Sequence, residues 1–218
     1  MRQLIKNFLA LILTTILVLP SYCAVKGGIE YKIPIDYSKV NAEEIESRAN
    51  LYYNLALKTN SGKLNEETTT ALNLYTILNN KAPENIIYPT RLGILYDLIG
   101  KDKYAKGNFY KAIGIDNTKP EPYYYLGEFY YKRDSYKKAL NFYNKAYVNG
   151  YNRHYETVYK IGDIYEKFGD TRAALKYLKL ASELSPNENL DKKILKVENA
   201  DKINKEYYSN TRIHLIER

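Results

Sequence analysis

The sequence predicts an all-α protein built from stacked antiparallel helix pairs. Three stretches, at residues 91–96, 125–130 and 160–165, carry matching residues in matching order. Their glycines lie 34 and then 35 residues apart, and four further columns of small or bulky residues keep the same stride. Such a fixed stride indicates a repeat architecture, in which each unit buries its apolar face against its neighbours.

Composition narrows the class of protein. A chain of 218 residues is long enough for one large domain or a repeat array. With 45% hydrophobic residues it can form a core, so a wholly disordered chain is excluded. Its single cysteine excludes an intrachain disulfide and a cysteine-based zinc site.

Residues 1–24 are predicted to be a secretory signal. Basic residues precede an apolar run at 8–19, which is shorter than the ~20 residues that a bilayer-spanning helix needs. We therefore expect cleavage after residue 23 or 24 rather than an uncleaved anchor. A cysteine after such a run resembles bacterial lipoprotein signals, but Tyr22 stands where those carry a small residue, so lipidation of Cys23 is less favoured. The mature protein is expected in the periplasm or on the outer-envelope side.

The remaining chain is predicted to hold an extended leader and a repeat domain. Residues 25–40 contain adjacent glycines and a proline, which favour extended chain. Residues 41–210 are predicted to form the repeat domain, with a capping box from Asn41 to Glu44 at its start. The expected units are a degenerate repeat at 42–83, clear repeats at 86–119, 120–153 and 155–188, and a capping helix at 189–210. Leu190, Ile194, Val197 and Ile203 give the cap its apolar pattern.

The repeated columns also predict how the helices pack. In the second clear repeat, helices are expected at 121–132 and 135–148, with Leu126, Gly127 and Tyr130 on one face. Gly127 lacks a Cβ and therefore lets the second helix approach closely. Tyr130 and Tyr143 are expected to fill the space beside it, as a close-packed interior requires.

These columns resemble the tetratricopeptide repeat family. Its pattern, W-x2-L-G-x2-Y followed by A-x3-F, is matched by residues 123–130 and 139–143, with Tyr123 in the tryptophan place. The resemblance covers about residues 86–186, although Asn117 stands where the family often has a proline. It implies a right-handed superhelix whose first helices line a concave face, where partners usually bind.

On that face the sequence predicts a partner-binding groove, formed by residues one step round from the packing face. The candidates are Tyr124, Glu128 and Tyr131 in the second clear repeat, Tyr159, Asp163 and Glu166 in the third, and Ile94 and Asp97 in the first. Family members that clamp acidic carboxyl tails carry Lys, Arg and Asn at such places. Because these candidates are mainly aromatic and acidic, a basic or neutral extended peptide is expected instead.

The sequence offers no constellation for catalysis or metal binding. Neither His154 nor His214 has an acid or a cysteine at ligand spacing, and no Gly-rich phosphate loop occurs. We therefore expect a non-enzymatic protein with no cofactor and no metal. An envelope hydrolase would need a catalytic group that the sequence does not reveal.

The predicted function is a protein–protein interaction scaffold in the bacterial cell envelope. The alternative is an RNA-binding helical-repeat protein, because the formal net charge is +8 and such repeats can read RNA. Export and the acidic inner face argue against nucleic acid. Lysines on the second helices and the tail would let the outer face touch an anionic envelope surface, although a solvated lysine-rich face is the simpler interpretation.

The signal predicts the mass of the mature protein. Expression in the native host should yield a chain that lacks about the first 23 residues, since a signal peptidase would remove them. Intact-mass spectrometry of the purified protein measures this directly. A full-length mass would contradict export through a cleaved signal.

Overall fold

A computed structural model describes residues 22–25, 29–32, 37, 40–59 and 62–216 of the chain. Helices dominate these residues, and a short two-stranded hairpin precedes them. The strands are β1 (Tyr22–Val25) and β2 (Ile29–Lys32). The helices are α1 (Ala42–Thr59), α2 (Glu66–Lys81), α3 (Ile87–Leu98), α4 (Asp102–Ile115), α5 (Pro120–Tyr131), α6 (Tyr136–Val148), α7 (Tyr155–Lys167), α8 (Thr171–Leu184) and α9 (Glu188–Ile216).

The helices pack as consecutive pairs within two compact units that divide after Ile115. In the first unit α1 packs on α2, and α3 packs on α2 and α4. In the second unit α5 pairs with α6 and α7 with α8, while α6 contacts α7 and α9 packs on α8. This arrangement confirms the predicted all-α stack of helix pairs with a terminal helix. That last helix continues to Ile216, six residues beyond the predicted cap.

The turn inside each clear repeat contains one residue with a left-handed backbone. Gly100 and Gly169 have φ of 68° and 76°, and Asp134 holds the equivalent place with φ of 53°. Glycine adopts this conformation without a steric penalty, and aspartate is one of the few other residues that tolerate it. The carboxylate of Asp134 accepts a hydrogen bond of 2.5 Å from the Tyr136 hydroxyl, which anchors that turn.

A glycine on each first helix meets a large side chain on the second. A Cβ added at Gly127 would lie 2.6 Å from Cδ1 of Tyr143, and one added at Gly93 would lie 2.5 Å from Cε1 of Phe109. At Gly162 the nearest atom is Cγ of Leu178, at 2.9 Å. Contacts this short leave no room for a methyl group. The predicted close approach at the glycine column is therefore confirmed.

Tyr130 is less buried than predicted. Tyr143 supplies the atoms nearest to Gly127. Tyr130 packs half-buried against the cluster that contains Ala139 and Tyr143, and it stacks on Phe142 with ring centroids 5.5 Å apart. In this turn of α5 the neighbouring Phe129, and not Tyr130, is the fully buried ring. A tyrosine at the edge keeps its hydroxyl in reach of water, while phenylalanine has no polar group to satisfy.

The terminal helix pairs form largely as predicted. In α2, Tyr75 is fully buried and its hydroxyl donates to the side-chain oxygen of Asn50 on α1. At the start of α1, Asn41 caps the backbone N–H of Glu43, but Glu44 binds Arg48 at 2.7 Å instead of completing a capping box.

The apolar stripe of α9 ends sooner than predicted. Leu190 and Val197 are each only 2% exposed, but Ile203 is 65% exposed. Position 201 continues the side of α9 that faces α8, and there Asp201 accepts a hydrogen bond of 2.8 Å from the Thr171 hydroxyl. Ile203 lies two residues further on, on the opposite side of the helix.

A hairpin joins the end of the predicted signal to the start of the predicted leader, so the leader is not only unpaired extended chain. Tyr22 pairs with Lys32 and Val25 with Ile29 in an antiparallel register. The expected cleavage point after residue 23 or 24 falls inside β1, so cleavage there would cut this strand. The apolar run at 8–19 lies outside the described residues. Within them, no helix combines the length and the apolar character that crossing a membrane requires.

The glycine contacts predict opposite effects for two matched substitutions in the first unit. Gly93→Ala should lower the free energy of unfolding by about 1–3 kcal/mol, because its methyl group would collide with Phe109. Gly107→Ala on the adjacent helix should raise it by about 0.5–1 kcal/mol, since nothing lies within 4 Å of the added Cβ. Urea unfolding followed by circular dichroism measures both. Equal effects would contradict the close approach.

Candidate functional site

The candidate groove residues of the second unit lie on two neighbouring helices. We call this surface the first-helix face; its candidates are Tyr124, Glu128 and Tyr131 on α5, and Tyr159, Asp163 and Glu166 on α7. The hydroxyl of Tyr131 donates a hydrogen bond of 2.5 Å to Oδ2 of Asp163, so the two helices are linked across the face. Ile94 and Asp97 are half-buried on α3, in the first unit.

The part of this face on α7 is bound by a lysine from the terminal helix. We call Tyr159, Asp163 and Glu166 the α7 site. The ammonium group of Lys193 donates to Asp163 and, at 2.9 Å, to Oε2 of Glu166. It also lies 5.2 Å from the ring centroid of Tyr159, within the range of a cation–π contact. The three candidate residues of the α7 site thus surround one ammonium group.

The electrostatics of the α7 site favour its charged state. Burial alone would raise the pKa of Asp163, but hydrogen bonds from Lys193 and Tyr131 outweigh it and lower the pKa. Burial alone would lower the pKa of Lys193, but its hydrogen bonds to Asp163 and Glu166 raise it. Each group therefore stabilises the charge on the other, as a partly buried ion pair requires.

A cluster of aromatic rings surrounds Tyr124 on the other helix. We call Tyr124, Tyr125, Tyr151 and His154 the Tyr124 cluster. The Tyr124 ring centroid lies 5.2 Å from that of Tyr125, 5.9 Å from Tyr151 and 5.1 Å from His154, each nearly edge to face. Tyr151 and His154 stack on each other at 4.4 Å. The connection between α6 and α7 supplies both rings, and the His154 side chain also caps α7.

Three carboxylates belong to the surroundings of the Tyr124 cluster. Those of Glu156, Glu121 and Glu128 act to raise the pKa of His154, although burial outweighs them and lowers it. Glu128 accepts a hydrogen bond of 2.5 Å from the hydroxyl of the buried Tyr143. Within residues 62–216, no lysine or arginine forms an ion pair with any of the three. A neutral His154 therefore leaves this region negative.

Two interactions of the first-helix face were missed by the sequence analysis. Lys193 belongs to the lysine-rich tail that the sequence predicts on the outer face, yet it lies on the first-helix face and binds Asp163, thirty positions earlier. Lys160 lies 3.8 Å from the ring centroid of Tyr131 and so covers that tyrosine. Neither contact has a local sequence signal, because each joins residues about thirty positions apart on two different helices. The aromatic neighbours of Tyr124 are nearer in sequence, but their stacking was also unforeseen.

The chemistry of the first-helix face is suited to binding positively charged groups. Among the described residues, no group of three or more histidine, cysteine, aspartate or glutamate side chains could hold a metal ion. Carboxylates next to the faces of tyrosine rings attract ammonium and guanidinium groups. Lys193 and Lys160 make contacts of this kind within the chain itself.

The α7 site predicts a pH-dependent stability. Asp163→Asn should lower the free energy of unfolding by on the order of 2 kcal/mol at pH 7, because the charged hydrogen bonds are lost. The folded-state pKa of Asp163 is lowered, so its contribution is present above the unfolded value of about 3.9 and disappears as the pH falls through the folded value.

Urea unfolding of both proteins between pH 7 and pH 3 tests this. The gap between wild type and Asp163→Asn should narrow towards the acidic end. Equal stabilities at pH 7, or a gap that is constant with pH, would show that the carboxylate charge contributes nothing.

Comparisons with known proteins agree with this architecture. Residues 155–188 match the tetratricopeptide repeat family model, over α7, α8 and the first residue of α9. Among solved structures, PilF of Pseudomonas aeruginosa is similar with a TM-score of 0.59 and 14% identity, over 73% of this chain and 71% of that one. A MamA protein is similar with a TM-score of 0.51 and 19% identity, over 71% of this chain and 90% of that one.

At these identities the likeness to solved structures shows the fold alone. No curated protein sequence matches the chain. The family match covers α7 and α8, whose pairing and glycine contact recur in α3 with α4 and in α5 with α6. Residues 155–188 are therefore a tetratricopeptide repeat, and they lie in a chain whose fold is similar to that of PilF.

Proposed function

We propose that this protein is a non-enzymatic scaffold that binds a basic, extended segment of a partner protein along the first-helix face of its second unit. Proteins with this fold commonly mediate protein–protein interactions. The observation that carries the proposal is the Tyr124 cluster beside three carboxylates that pair with no cation in the described part of the chain. Tyrosine rings offer rigid contact area, and the carboxylates select positive charge.

The charge of the face sets the kind of partner. Glu121 and Glu156 are exposed at the N-terminal ends of α5 and α7, so an incoming cation can reach both from solvent. An acidic peptide or an RNA phosphate would be repelled by the same groups. The basic surface of the whole chain lies largely on other helices, and screening weakens its influence beyond about 10 Å at ordinary salt.

We further propose that the protein acts in the bacterial envelope. The support is the predicted secretory signal at residues 1–24. The tail is rich in lysine, and Lys192, Lys196 and Lys205 are exposed on α9, each also in contact with a carboxylate of the chain. Such exposed lysines suit a negatively charged envelope surface. The fraction of the native host that contains the protein, measured after osmotic shock and membrane separation, tests this location.

Charge reversal beside the cluster tests the binding proposal. Glu156→Lys should weaken binding of a fluorescent lysine–serine repeat peptide about fivefold or more, because it replaces attraction by repulsion. Tyr124→Ala together with Tyr159→Ala should weaken it further by removing both rings. Fluorescence anisotropy at low and at physiological salt gives the affinities, and circular dichroism confirms that the variants keep their helices.

Two controls make the result specific. Glu183→Lys makes the same charge change at an exposed position of the second helix α8 and should leave binding unchanged. The matched glutamate–serine peptide and a single-stranded RNA of similar length should bind more weakly than the lysine peptide. Equal weakening by both charge reversals, or tighter binding of the RNA than of the lysine peptide, would contradict the proposal.

A further inference from the structure

We propose that the α7 site is a binding site for a lysine side chain of the partner, and that Lys193 is an internal ligand that occupies it in the free protein. The partner's lysine would bind by displacing Lys193. This inference rests on the proposed function, because it names the chemical group that one part of the first-helix face recognises. It also makes the terminal helix a competitor of the partner.

The first argument is the completeness of the contacts around Lys193. A lysine ammonium group has three N–H donors and prefers acceptors and ring faces that converge on it. The α7 site supplies Oδ1 of Asp163, Oε2 of Glu166 and the ring of Tyr159 to one nitrogen. Lys196 contacts the site only through the other oxygen of Glu166, at 3.6 Å. A lysine of any other chain would find the same three partners in the same place.

The second argument is that the site keeps its shape without Lys193. Oδ2 of Asp163 is held by the hydroxyl of Tyr131, which belongs to α5 and does not depend on the terminal helix. The Asp163 side chain is only 9% exposed. Emptying the site would leave Asp163 with the longer contact to Lys167, at 3.8 Å from Oδ2, as its cation partner. The buried carboxylate would then be less well compensated, so a replacement cation is favoured.

The third argument is that Lys193 is reachable and is not what attaches α9. Its side chain is 22% exposed, so solvent and a competing group can approach the ammonium. The helix is attached through the buried Leu190 and Val197, which pack in one cluster with Val158 and Leu178. The ammonium can therefore be replaced while the helix remains docked.

The expected size of the competition follows from tethering. A group fixed in the same chain competes at an effective concentration in the millimolar range. The apparent affinity for the peptide is then the intrinsic affinity multiplied by the fraction of molecules whose site is not occupied by Lys193. Removing the ammonium should therefore strengthen binding of the lysine–serine peptide about tenfold or more. A lysine with no competing role would give no gain in affinity.

Two variants test this on the full chain. Lys193→Ala removes the internal ligand, and Lys192→Ala is the matched control, since Lys192 is 69% exposed and pairs with Glu188 outside the site. The peptide should bind Lys193→Ala about tenfold more tightly than wild type, and Lys192→Ala as wild type does. If Lys193→Ala does not fold, Lys193→Met keeps the apolar stem and replaces it in every measurement.

A small probe tests the site without the peptide. n-Butylammonium chloride carries the lysine headgroup and stem, so it should raise the Tm of Lys193→Ala more than that of wild type or Lys192→Ala. Sodium chloride at equal ionic strength controls for screening. A Tm rise confined to Lys193→Ala supports an ammonium site. Equal shifts in all three proteins would overturn it.

The outcomes separate this inference from the proposed function. If Glu156→Lys weakens peptide binding while Lys193→Ala changes neither affinity nor the butylammonium response, the internal-ligand inference is wrong and the proposed function remains. If the Tm of Lys193→Ala responds to butylammonium but no variant binds the peptide, the ammonium site stands and the proposed function is wrong.

Discussion

The geometry of each helix pair in the second unit depends on the contact between a glycine backbone and one large side chain of the paired helix. Gly127 against Tyr143 and Gly162 against Leu178 fix how far apart the two helices lie and how each first helix is rotated. The contact also fixes the direction of the residue after each glycine, because successive residues of a helix are about 100° apart around its axis. Glu128 and Asp163 follow these glycines directly. The glycine contact therefore determines which side of α5 and α7 forms the first-helix face.

This dependence explains how much the sequence could predict. A column of glycines opposite a column of bulky residues is a local, periodic signal, and it correctly predicted the helix pairs and the turns within them. Asp134 also fits the turn, although it is not a glycine, because its backbone has the same left-handed conformation as Gly100 and Gly169. What repeats at a fixed stride can be read along the chain.

Contacts that do not repeat were beyond the sequence. The ion pair of Lys193 with Asp163 joins positions thirty residues apart, and α9 contains no glycine column to announce how it packs. Tyr130 was assigned to the interior because its column is aromatic, but periodicity cannot tell which of two adjacent rings turns inward. The β1–β2 pairing likewise depends on register, which the glycines and proline of that segment do not specify.

The terminal helix separates two tasks that a simple cap would combine. Leu190 and Val197 work as an anchor, since burying apolar side chains supplies an attraction without a preferred direction. The ion pair of Lys193 with the α7 site is different, because salt and a competing cation both weaken it. The ion pair can break while the apolar contacts of α9 remain, and this needs no unfolding of the helix. Under the proposed function, a partner would exchange with Lys193 while Leu190 and Val197 stay buried.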